Sequence, residues 1–263
     1  MSSDPGAVPD VPERVVVLVP TYNEAQSLPE LVAQVRQVAP DVDVCVIDDN
    51  SPDGTGAIAD ELAAADPRVH VIHRALKQGL GAAYLEGFAW ARARGYDALV
   101  EMDADGSHRP VDLPRLIEAA RDADVVIGSR WVPGGEVVNW PQRRKALSLG
   151  ANAYTRALLG MPVRDATAGF RLYRARALDV IGLHDVASQG YCFQVDLTWR
   201  AIRAGLRVVE VPITFVERRH GASKMSGDVV RESMRRVAWW GAGYRAGQAR
   251  DAAQRPLSRR GES

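Results

Sequence analysis

Cysteine and net charge are both scarce in this sequence. Its 263 residues include two cysteines, Cys45 and Cys192, and its 33 Lys and Arg residues are balanced by 33 Asp and Glu residues. Two isolated cysteines make neither a disulfide framework nor a zinc motif, so we expect both to be core residues in a reducing compartment. Balanced charge favours no strongly charged macromolecular partner, and we expect no nucleic-acid partner.

Long apolar runs are also missing. No stretch approaches the roughly 20 apolar residues that a membrane-spanning helix requires. Residues 1–13 are rich in Pro and Asp and lack the basic and apolar regions of a signal peptide. We therefore expect a cytoplasmic protein that meets the cytoplasmic face of a membrane only peripherally. We also expect disorder in residues 1–13 and in the Arg-, Gln- and Ser-rich residues 244–263.

The chain as a whole has the composition of a soluble globular protein, and the stretch between its ends is residues 14–243. Hydrophobic residues make up 46% and charged residues 25% of the chain, as in ordinary globular proteins. Because no internal repeat or linker divides this stretch, we expect one domain that includes an amphipathic helix at 228–241.

Apolar runs of strand length alternate with stretches of helical periodicity in the first half of the chain. The run Val15–Val19 is continuously apolar, which is typical of a parallel strand covered on both faces, and Pro20 is expected to end it. Further strands are predicted at 42–47, 69–72, 96–102 and 124–127. One helix is predicted to begin at Ser27 and Pro29, and a second, with Thr55 as its N-cap, to run through residue 65. Two more helices are predicted at 81–94 and 111–121. This alternation predicts an α/β fold with a mostly parallel central sheet and helices on both faces.

After Gly128 the alternation becomes irregular. We predict a loop at 131–141, helices at 147–159 and 192–204, a short strand at 168–174, an extended segment at 207–215 and a charged loop at 217–227.

Two carboxylates follow the apolar run Ala98–Val100. Asp103 and Asp105 are one residue apart, so in extended backbone both side chains point the same way. In an open α/β sheet, ligands bind beyond the carboxyl ends of the strands. Two hard oxygen ligands without a Cys or His cluster suit Mg²⁺ or Mn²⁺ shared with substrate phosphates. A plain polar turn explains this stretch equally well, because Asp and Gly are common turn residues.

Two other predicted strands also end in polar or aromatic residues. The first runs into residues 20–24, and the second ends at Asp48 and Asp49. Three such ends at one edge of a sheet would suit a nucleotide pocket, in which Tyr22 covers a base, Asp48 accepts from base or ribose donors and Glu24 holds a hydroxyl. Each stretch has a simpler explanation as a helix lead-in or a turn, so it is their convergence that favours a binding site.

Five short motifs occur in a recognisable order: PTYNE at 20–24, DDNSPDGT at 48–55, KQGLG at 77–81, MDAD at 102–105 and GSR at 128–130. In this order they resemble the inverting family 2 glycosyltransferases with the GT-A fold, a Rossmann-like fold of nucleotide-diphospho-sugar transferases. Later runs resemble the polyprenol-phosphate, or dolichol-phosphate, mannose synthases: NWP at 139–141, AGF at 168–170, FVER at 215–218 and HGASK at 220–224. The likeness covers residues 14–240, and the later runs carry the lipid-phosphate assignment.

The resemblance implies transfer of mannose from GDP-mannose to polyprenyl or dolichyl phosphate, with Mg²⁺ or Mn²⁺ as cofactor. It implies a guanosine pocket lined by Pro20, Tyr22, Glu24, Val46 and Asp48, a metal held by Asp103 and Asp105 with the Ala104 backbone near the nucleotide, and phosphate contacts from Arg130, Arg144, Arg218 and Lys224. Asp105, Arg130, Arg218 and Lys224 would act most directly in catalysis.

The chain departs from the family at two positions. Gly106 stands where many relatives have an apolar residue, and Ser107 where some offer Gln as a metal ligand, so the third protein ligand stays open. The basic residues suit the chemistry, because fixed cations stabilise charge on a leaving diphosphate. Their alternative explanations are a solvated loop for Arg218 and Lys224 and a solvated helix surface for Arg144.

The acceptor removes the need for a general base. A lipid monophosphate is anionic near neutral pH because its second pKa is near ~6, so an oxygen of this phosphate can attack the anomeric carbon directly. Inversion would convert an α-linked donor into a β-mannosyl phospholipid. Asp165 is a candidate for orienting the acceptor or the sugar in such a site, but a structural cap is the better interpretation.

The predicted helix at 228–241 combines Trp239 and Trp240 with several arginines. Such a helix suits docking at an anionic membrane surface or at an integral-membrane partner, whereas its valines suit packing on the domain's own core. Three other functions stay open: a UDP-glucose:polyprenyl-phosphate glucosyltransferase, a non-catalytic nucleotide-sugar binding module, and a phosphoacceptor domain using Asp48 and Asp49.

Overall fold

The computed structural model describes residues 11–184, 186, 191–217, 231 and 234–243. Its strands are β1 (Val15–Thr21), β2 (Asp43–Asp48), β3 (Val69–His73), β4 (Ala98–Glu101), β5 (Val125–Ser129), β6 (Glu136–Val138), β7 (Arg171–Arg174), β8 (Val208–Pro212) and β9 (Thr214–Val216). Its helices are α1 (Leu28–Val38), α2 (Thr55–Ala65), α3 (Leu80–Ala93), α4 (Leu113–Ala119), α5 (Gln142–Leu159), α6 (Ala175–Ile181) and α7 (Tyr191–Arg203). A 3₁₀ turn at Pro110–Asp112 precedes α4, and residues 234–243 are helical.

Seven strands form the central sheet in the order β3-β2-β1-β4-β7-β5-β8. Strand β7 runs antiparallel to its neighbours β4 and β5, while the other pairs are parallel. Alternate residues of the strands enter two separate hydrophobic clusters, as Leu18 and Val17 illustrate. Helices α3 and α7 cover one face and α1 and α4 the other. The predicted mostly parallel sheet with helices on both faces is therefore confirmed.

Strand β1 continues past Pro20, which was expected to end it. Pro20 is aligned with Ile47 of β2, and β1 ends at Thr21. On the β4 side the pairing stops at Leu18, whose carbonyl accepts a hydrogen bond from the Met102 N–H at 3.1 Å. Pro20 lies two residues further on the same side, beyond the end of β4, so its missing N–H removes no hydrogen bond from the sheet.

Two local predictions need correction. Thr55 is the first residue of α2 rather than its N-cap; Gly54 occupies that position at φ +90°. The Thr55 hydroxyl instead donates to Asp53 Oδ1 at 2.6 Å and accepts the Glu24 N–H at 3.0 Å. The predicted loop at 131–141 contains β6, which pairs in parallel with β9. Short strands of three residues depend on this distant pairing and leave no local signal.

The C-terminal helix packs on the body of the protein. Val237 is buried, and Trp240 stacks on Trp199 of α7 with ring centroids 6.0 Å apart. Trp239 is 76% exposed. Of the two tryptophans that were expected to face a membrane, Trp240 packs inward and Trp239 faces solvent. Several predictions concern residues that lie mostly outside the described part of the chain. These are the disorder of residues 1–13 and 244–263, the charged loop at 217–227, and residues 228–230 of the predicted C-terminal helix. No helix in the described part of the chain has both the length and the apolar character needed to cross a bilayer.

Candidate functional site

The carboxyl ends of β1, β2 and β4 lie side by side because these three strands are parallel neighbours. Tyr22 follows β1, Asp48 ends β2, and Asp103 follows β4. The sheet therefore brings together the three polar strand ends that the sequence singled out. Ligands of open α/β sheets bind at this edge.

The two carboxylates after β4 lie on a tight turn. The Ser107 N–H donates to Asp105 Oδ1 at 3.0 Å, and the Asp103 N–H donates to His108 Nδ1 at 2.9 Å. Gly106 between them has φ +76°, a left-handed conformation that glycine adopts without strain. The glycine found where relatives carry an apolar residue thus fits the shape of the turn. Both carboxylates are partly exposed.

His108 supports this turn from below. Its ring is buried, stacks on Phe170 at 5.2 Å and meets the edge of Phe215 at 5.4 Å. Burial lowers the pKa of His108, against the opposing effect of the carboxylates Asp103 and Asp105, so the ring is neutral near pH 7. Since Nδ1 accepts the Asp103 N–H, the ring proton sits on Nε2. Neither nitrogen therefore has a lone pair left for a metal.

A divalent cation fits the remaining donors of the turn. Within the described residues no cluster of three or more Asp, Glu, His or Cys side chains surrounds a metal position. The protein side of the site would therefore be the carboxylates of Asp103 and Asp105. The hydroxyl of Ser107, two residues after Asp105, is buried and has no hydrogen-bond partner in the described structure. A site with so few protein ligands suits Mg²⁺ or Mn²⁺ that also takes phosphate and water oxygens.

Gly169 lies opposite the turn and leaves little room for a side chain. A Cβ on Gly169 would lie 3.3 Å from His108 Cε1 and 3.7 Å from Asp103 Oδ2. The AGF run at 168–170 therefore packs directly against the acid turn, and a side chain at its centre would press on the His108 ring.

A buried carboxylate also lies upstream of the turn. Glu101 is fully buried, and its Oε2 accepts a 2.8 Å hydrogen bond from Gln194 Nε2 of α7. Burial raises the pKa of Glu101 to about 8, although the nearby Arg171 opposes this. Arg171 itself donates to the Ala168 and Gln194 carbonyls rather than to Glu101. This polar core beneath the site was not predicted from the sequence.

At the carboxyl end of β2, the carboxylate of Asp48 accepts hydrogen bonds from neighbouring protein groups. It accepts hydrogen bonds from Thr21 Oγ1 at 2.9 Å and from the Ser51 N–H at 3.0 Å, and it is 3% exposed. Lys77 Nζ lies 3.4 Å from the centroid of the Tyr22 ring, a cation–π contact. Glu24 accepts from Ser27 Oγ at 2.8 Å.

Other members of the predicted nucleotide pocket differ in how they meet this edge. Val46 and Ala104 are buried in the core cluster, so their backbones rather than their side chains are available to a ligand. Pro20 is partly exposed at the end of β1.

Arg130, directly after β5, is held by a buried carboxylate. Its Nε donates to Asp165 Oδ2 at 2.8 Å and its Nη2 to Asp165 Oδ1 at 2.6 Å, while Nη2 also reaches Thr167 Oγ1 at 3.0 Å. Asn152 Nδ2 of α5 joins Asp165 Oδ1 at 3.3 Å. Burial raises the pKa of Asp165, but the charge and hydrogen bonds of Arg130 outweigh it, and the pKa lies below its usual value. Asp165 therefore anchors Arg130 rather than capping a helix.

Arg144 lies in the first turn of α5 and points inward, unlike its exposed neighbours Arg143 and Lys145. Its guanidinium lies 4.1 Å from the centroid of the Trp140 ring and forms an ion pair with Glu217. The solvated-helix interpretation thus holds for the two neighbours and fails for Arg144. Arg218 and Lys224 lie outside the described residues.

An apolar cavity of about 90 Å³ opens between α5, α7 and the C-terminal helix. Arg130 and Arg144 lie in its wall together with apolar side chains, among them Leu147, Ala151, Val195, Met234 and Val237. Near it, Leu147, Leu149 and Met234 are more than two-fifths exposed. The arrangement is chemically suited to a molecule with an anionic head and an apolar tail.

Arg130 also links the two halves of the site. Its charge acts on His108, as do the charges of Asp103 and Asp105. Trp131, Trp140 and Phe215 surround its guanidinium at 5.4–5.8 Å. Phe215 contacts both the Arg130 guanidinium and the His108 ring, so the cationic wall of the cavity adjoins the residues that support the acid turn.

Sequence reasoning missed several residues of this site: His108, Trp131, Asn152, Thr167, Glu217 and the buried pair Glu101 and Gln194. The FVER run contains Glu217, and His108 lies three residues after the MDAD run, so both positions near the site were visible. Their partners were not, because each contact joins segments that are far apart in the chain.

Comparison with known proteins agrees with this geometry. Residues 16–182 match the profile of Glycosyl transferase family 2. The chain is 59% identical over 240 residues to the polyprenol monophosphomannose synthase of Mycolicibacterium smegmatis, covering 90% of this chain and 91% of the relative. It is 57% identical over 232 residues to the undecaprenyl-phosphate mannosyltransferase of Micrococcus luteus, covering 88% and 96%.

Among solved structures, the fold resembles glucosyl-3-phosphoglycerate synthase from Mycobacterium tuberculosis in complex with Mn²⁺, uridine diphosphate and glucosyl-3-phosphoglycerate. The TM-score is 0.61 at 20% identity, over 86% of this chain and 77% of that one. At this identity the likeness concerns the fold alone, and it confirms the GT-A architecture. The profile match and the two relatives show that the chain belongs to glycosyl transferase family 2.

Proposed function

We propose that this protein is a mannosyltransferase that moves mannose from GDP-mannose to a polyprenyl monophosphate, giving a polyprenyl-phospho-mannose with inversion at the anomeric carbon. The observation that carries the proposal is the identity of 59% and 57% to two proteins named for this kind of reaction, over about nine-tenths of each chain. The cationic, apolar cavity beside the acid turn supports the same acceptor.

The donor would bind along the carboxyl ends of β1, β2 and β4. In this proposal Pro20, Tyr22, Glu24, Val46 and Asp48 line the nucleoside pocket. The buried Asp48 carboxylate accepts from three protein groups at once, so its position is fixed before the nucleotide arrives. Lys77 lies on the Tyr22 ring and would have to share that ring with a base.

The acid turn would meet the diphosphate. Asp103 and Asp105 would hold Mg²⁺ or Mn²⁺, with the Ala104 backbone beside the nucleotide. Such an ion, when bound, neutralises charge that develops on the departing diphosphate. Arg130 and the residues Arg218 and Lys224 would add fixed positive charge at the same place.

The acceptor phosphate would lie at the mouth of the cavity, between Arg130 and Arg144. One of its oxygens attacks the anomeric carbon and forms the new C–O bond. The bond from that carbon to the diphosphate breaks, and GDP leaves with the electron pair. Because the attacking oxygen is already ionised near neutral pH, no side chain has to remove a proton.

The prenyl chain would leave the mouth through the apolar cavity toward the exposed side chains of α5 and the C-terminal helix. Exposed apolar residues such as Leu147, Leu149, Met234 and Trp239 are then explained, because they would meet the membrane that carries the lipid. This part of the proposal is a peripheral position on the cytoplasmic face, with or without a membrane-protein partner.

One assay tests donor, acceptor and metal together. The purified full chain is offered GDP-mannose, UDP-glucose or UDP-N-acetylglucosamine with farnesyl phosphate, in the presence of Mn²⁺, of Mg²⁺ or of EDTA. Of the three donors, we expect only GDP-mannose to give a glycosylated lipid, and we expect this in the presence of either Mn²⁺ or Mg²⁺. A glucosyl lipid, or mannose transfer at full rate in EDTA, would contradict the proposed donor or the proposed metal dependence.

A further inference from the structure

Arg144 is held from two sides by residues outside its own helix. Its guanidinium is stacked 4.1 Å from the Trp140 ring centroid, and Nη1 is ion-paired with Glu217 Oε1. The side chains of Arg144 and Glu217 are 22% and 31% exposed. Half-burial of such a pair favours one defined geometry over the many that a solvated arginine adopts.

Glu217 is in turn tied to the acid turn through the backbone. Its N–H donates to the Val138 carbonyl of β6 at 3.0 Å. The residue before it, Val216, donates its N–H to the Ser107 carbonyl at 3.1 Å. Ser107 lies two residues from Asp105, so one hydrogen bond and the covalent backbone between Val216 and Glu217 connect the acid turn to the residue that pairs with Arg144.

The ion pair uses one edge of the guanidinium. Nη1 is the atom of Arg144 that Glu217 engages, whereas an arginine side chain carries five N–H donors in a planar fork. Arg144 also lies in the wall of the apolar cavity. A guanidinium held at one nitrogen keeps further donors for an anion at the cavity mouth.

We infer that Glu217 is a positioning residue for the acceptor: it acts through Arg144, whose guanidinium it holds against Trp140 at a fixed distance from the acid turn, ready for the acceptor phosphate. This inference rests on the proposed function, because it requires an anionic acceptor at Arg144. Orientation of a bidentate donor lowers the entropy that is lost when phosphate binds. Glu217 therefore contributes to acceptor binding without touching the acceptor.

The test is a double-mutant cycle with Glu217→Gln and Arg144→Lys. Glutamine keeps the shape of the side chain and removes its charge. Lysine keeps a positive charge, so phosphate binding stays measurable, but it has no planar edge for Glu217 to orient. The control variant is Glu136→Gln, which changes an exposed glutamate of β6 in the same two-stranded sheet. The readouts are kcat, the KM for farnesyl phosphate and the KM for the nucleotide sugar.

We expect Glu217→Gln to raise the KM for farnesyl phosphate about fivefold or more, with kcat and the donor KM within twofold of the wild type. In the Arg144→Lys background the same substitution should change the acceptor KM by less than twofold, because the group it orients is gone. Glu136→Gln should match the wild type throughout. An acceptor KM that falls, one that does not change, or an equal rise in both backgrounds would overturn the inference; the first would mean that Glu217 competes with the phosphate.

Calorimetric titration of farnesyl phosphate into the same proteins separates this inference from the proposed function. If the wild type transfers no mannose but binds farnesyl phosphate, the proposed function is contradicted. The role of Glu217 is then decided by the titrations. Equal affinities of the wild type and Glu217→Gln for farnesyl phosphate would contradict the role of Glu217 and leave the proposed function unaffected. A wild type that binds no farnesyl phosphate would sink both.

Discussion

The carboxylate of Asp165 grips the guanidinium of Arg130 through two parallel hydrogen bonds, at 2.8 Å to Nε and 2.6 Å to Nη2, and also accepts the Arg130 backbone N–H at 2.9 Å. Both side chains are nearly fully buried, at 0% and 5% exposure. A fork-to-fork pair of this kind fixes the plane of the guanidinium as well as its position.

Replacing Asp165 with asparagine should therefore be costly. The substitution removes one partner of a buried ion pair and leaves Arg130 uncompensated, for which about 3–5 kcal/mol of unfolding free energy is the usual loss. Urea unfolding of Asp165→Asn against the wild type measures this. The matched control is Glu118→Gln, since Glu118 pairs with Arg121 at the exposed surface and should change stability by less than about 1 kcal/mol. Equal losses of unfolding free energy in both variants would show that the buried ion pair stabilises the fold no more than an exposed one.

The same pair predicts a pH dependence. Burial raises the pKa of Asp165, yet Arg130 lowers it by more, so the folded-state pKa lies below the unfolded one. A carboxylate with a lowered folded-state pKa contributes stability above its unfolded pKa of about 3.9, and this contribution is lost as the pH falls through the folded-state pKa. The stability difference between the wild type and Asp165→Asn should be constant from pH 8 to about pH 5 and should shrink below about pH 4. A difference that grows in acid would contradict the sign.

The acid turn offers a test of metal binding that does not depend on turnover. In Asp105→Asn the amide oxygen can still accept the Ser107 N–H that Asp105 accepts at 3.0 Å, so the turn should keep its shape while one charge is lost. We expect the affinity for Mn²⁺ in the presence of GDP to fall at least tenfold, and transfer to be abolished, with the thermal midpoint within a few degrees of the wild type. Manganese binding is followed by electron paramagnetic resonance. Full activity in this variant would refute the metal role.

The basic segment after β9 gives a further prediction from the sequence. Lys224 lies in the HGASK run at 220–224, outside the described residues. If it contacts a phosphate, Lys224→Ala should lower kcat/KM at least tenfold while the unfolding free energy changes by less than about 1 kcal/mol. Comparable losses of activity and stability would mark Lys224 as a structural residue instead.

The central sheet was predictable because its strands are continuous apolar runs of the kind that parallel strands require. Once the strands are parallel neighbours, their carboxyl ends must share one edge, and this places Tyr22, Asp48 and Asp103 together from the sequence alone. The acid pair was recognisable as a candidate ligand set because its residue types and spacing are informative locally.

The acceptor side was less predictable because its contacts are not local. Arg130 meets Asp165 across 35 positions, and Arg144 meets Glu217 across 73 positions. No periodicity links such partners, so the sequence does not pair Asp165 with Arg130 or Glu217 with Arg144. Strands β6 and β9 have three residues each, and they exist because the chain brings them together.

The apolar cavity yields a prediction that separates the lipid tail from the phosphate. Ala151 of α5 lies in the cavity wall, whereas Ala153, two residues later on the same helix, is exposed. Ala151→Phe should place a ring where the prenyl chain is proposed to run. The KM for farnesyl phosphate should rise at least tenfold, and the KM for GDP-mannose should stay within twofold, because the nucleotide edge lies on β1, β2 and β4 rather than on α5.

Ala153→Phe is the matched control, since it adds the same ring to the same helix outside the cavity. A shorter acceptor sharpens the comparison: prenyl phosphate with a single isoprene unit reaches less far into the cavity, so Ala151→Phe should impair its transfer less than that of farnesyl phosphate. Loss of activity that is independent of chain length would mean that the ring has displaced Arg144 or Arg130 at the mouth. Equal kinetics of Ala151→Phe and Ala153→Phe with farnesyl phosphate would show that the lipid takes another path, because a filled cavity cannot also hold the chain.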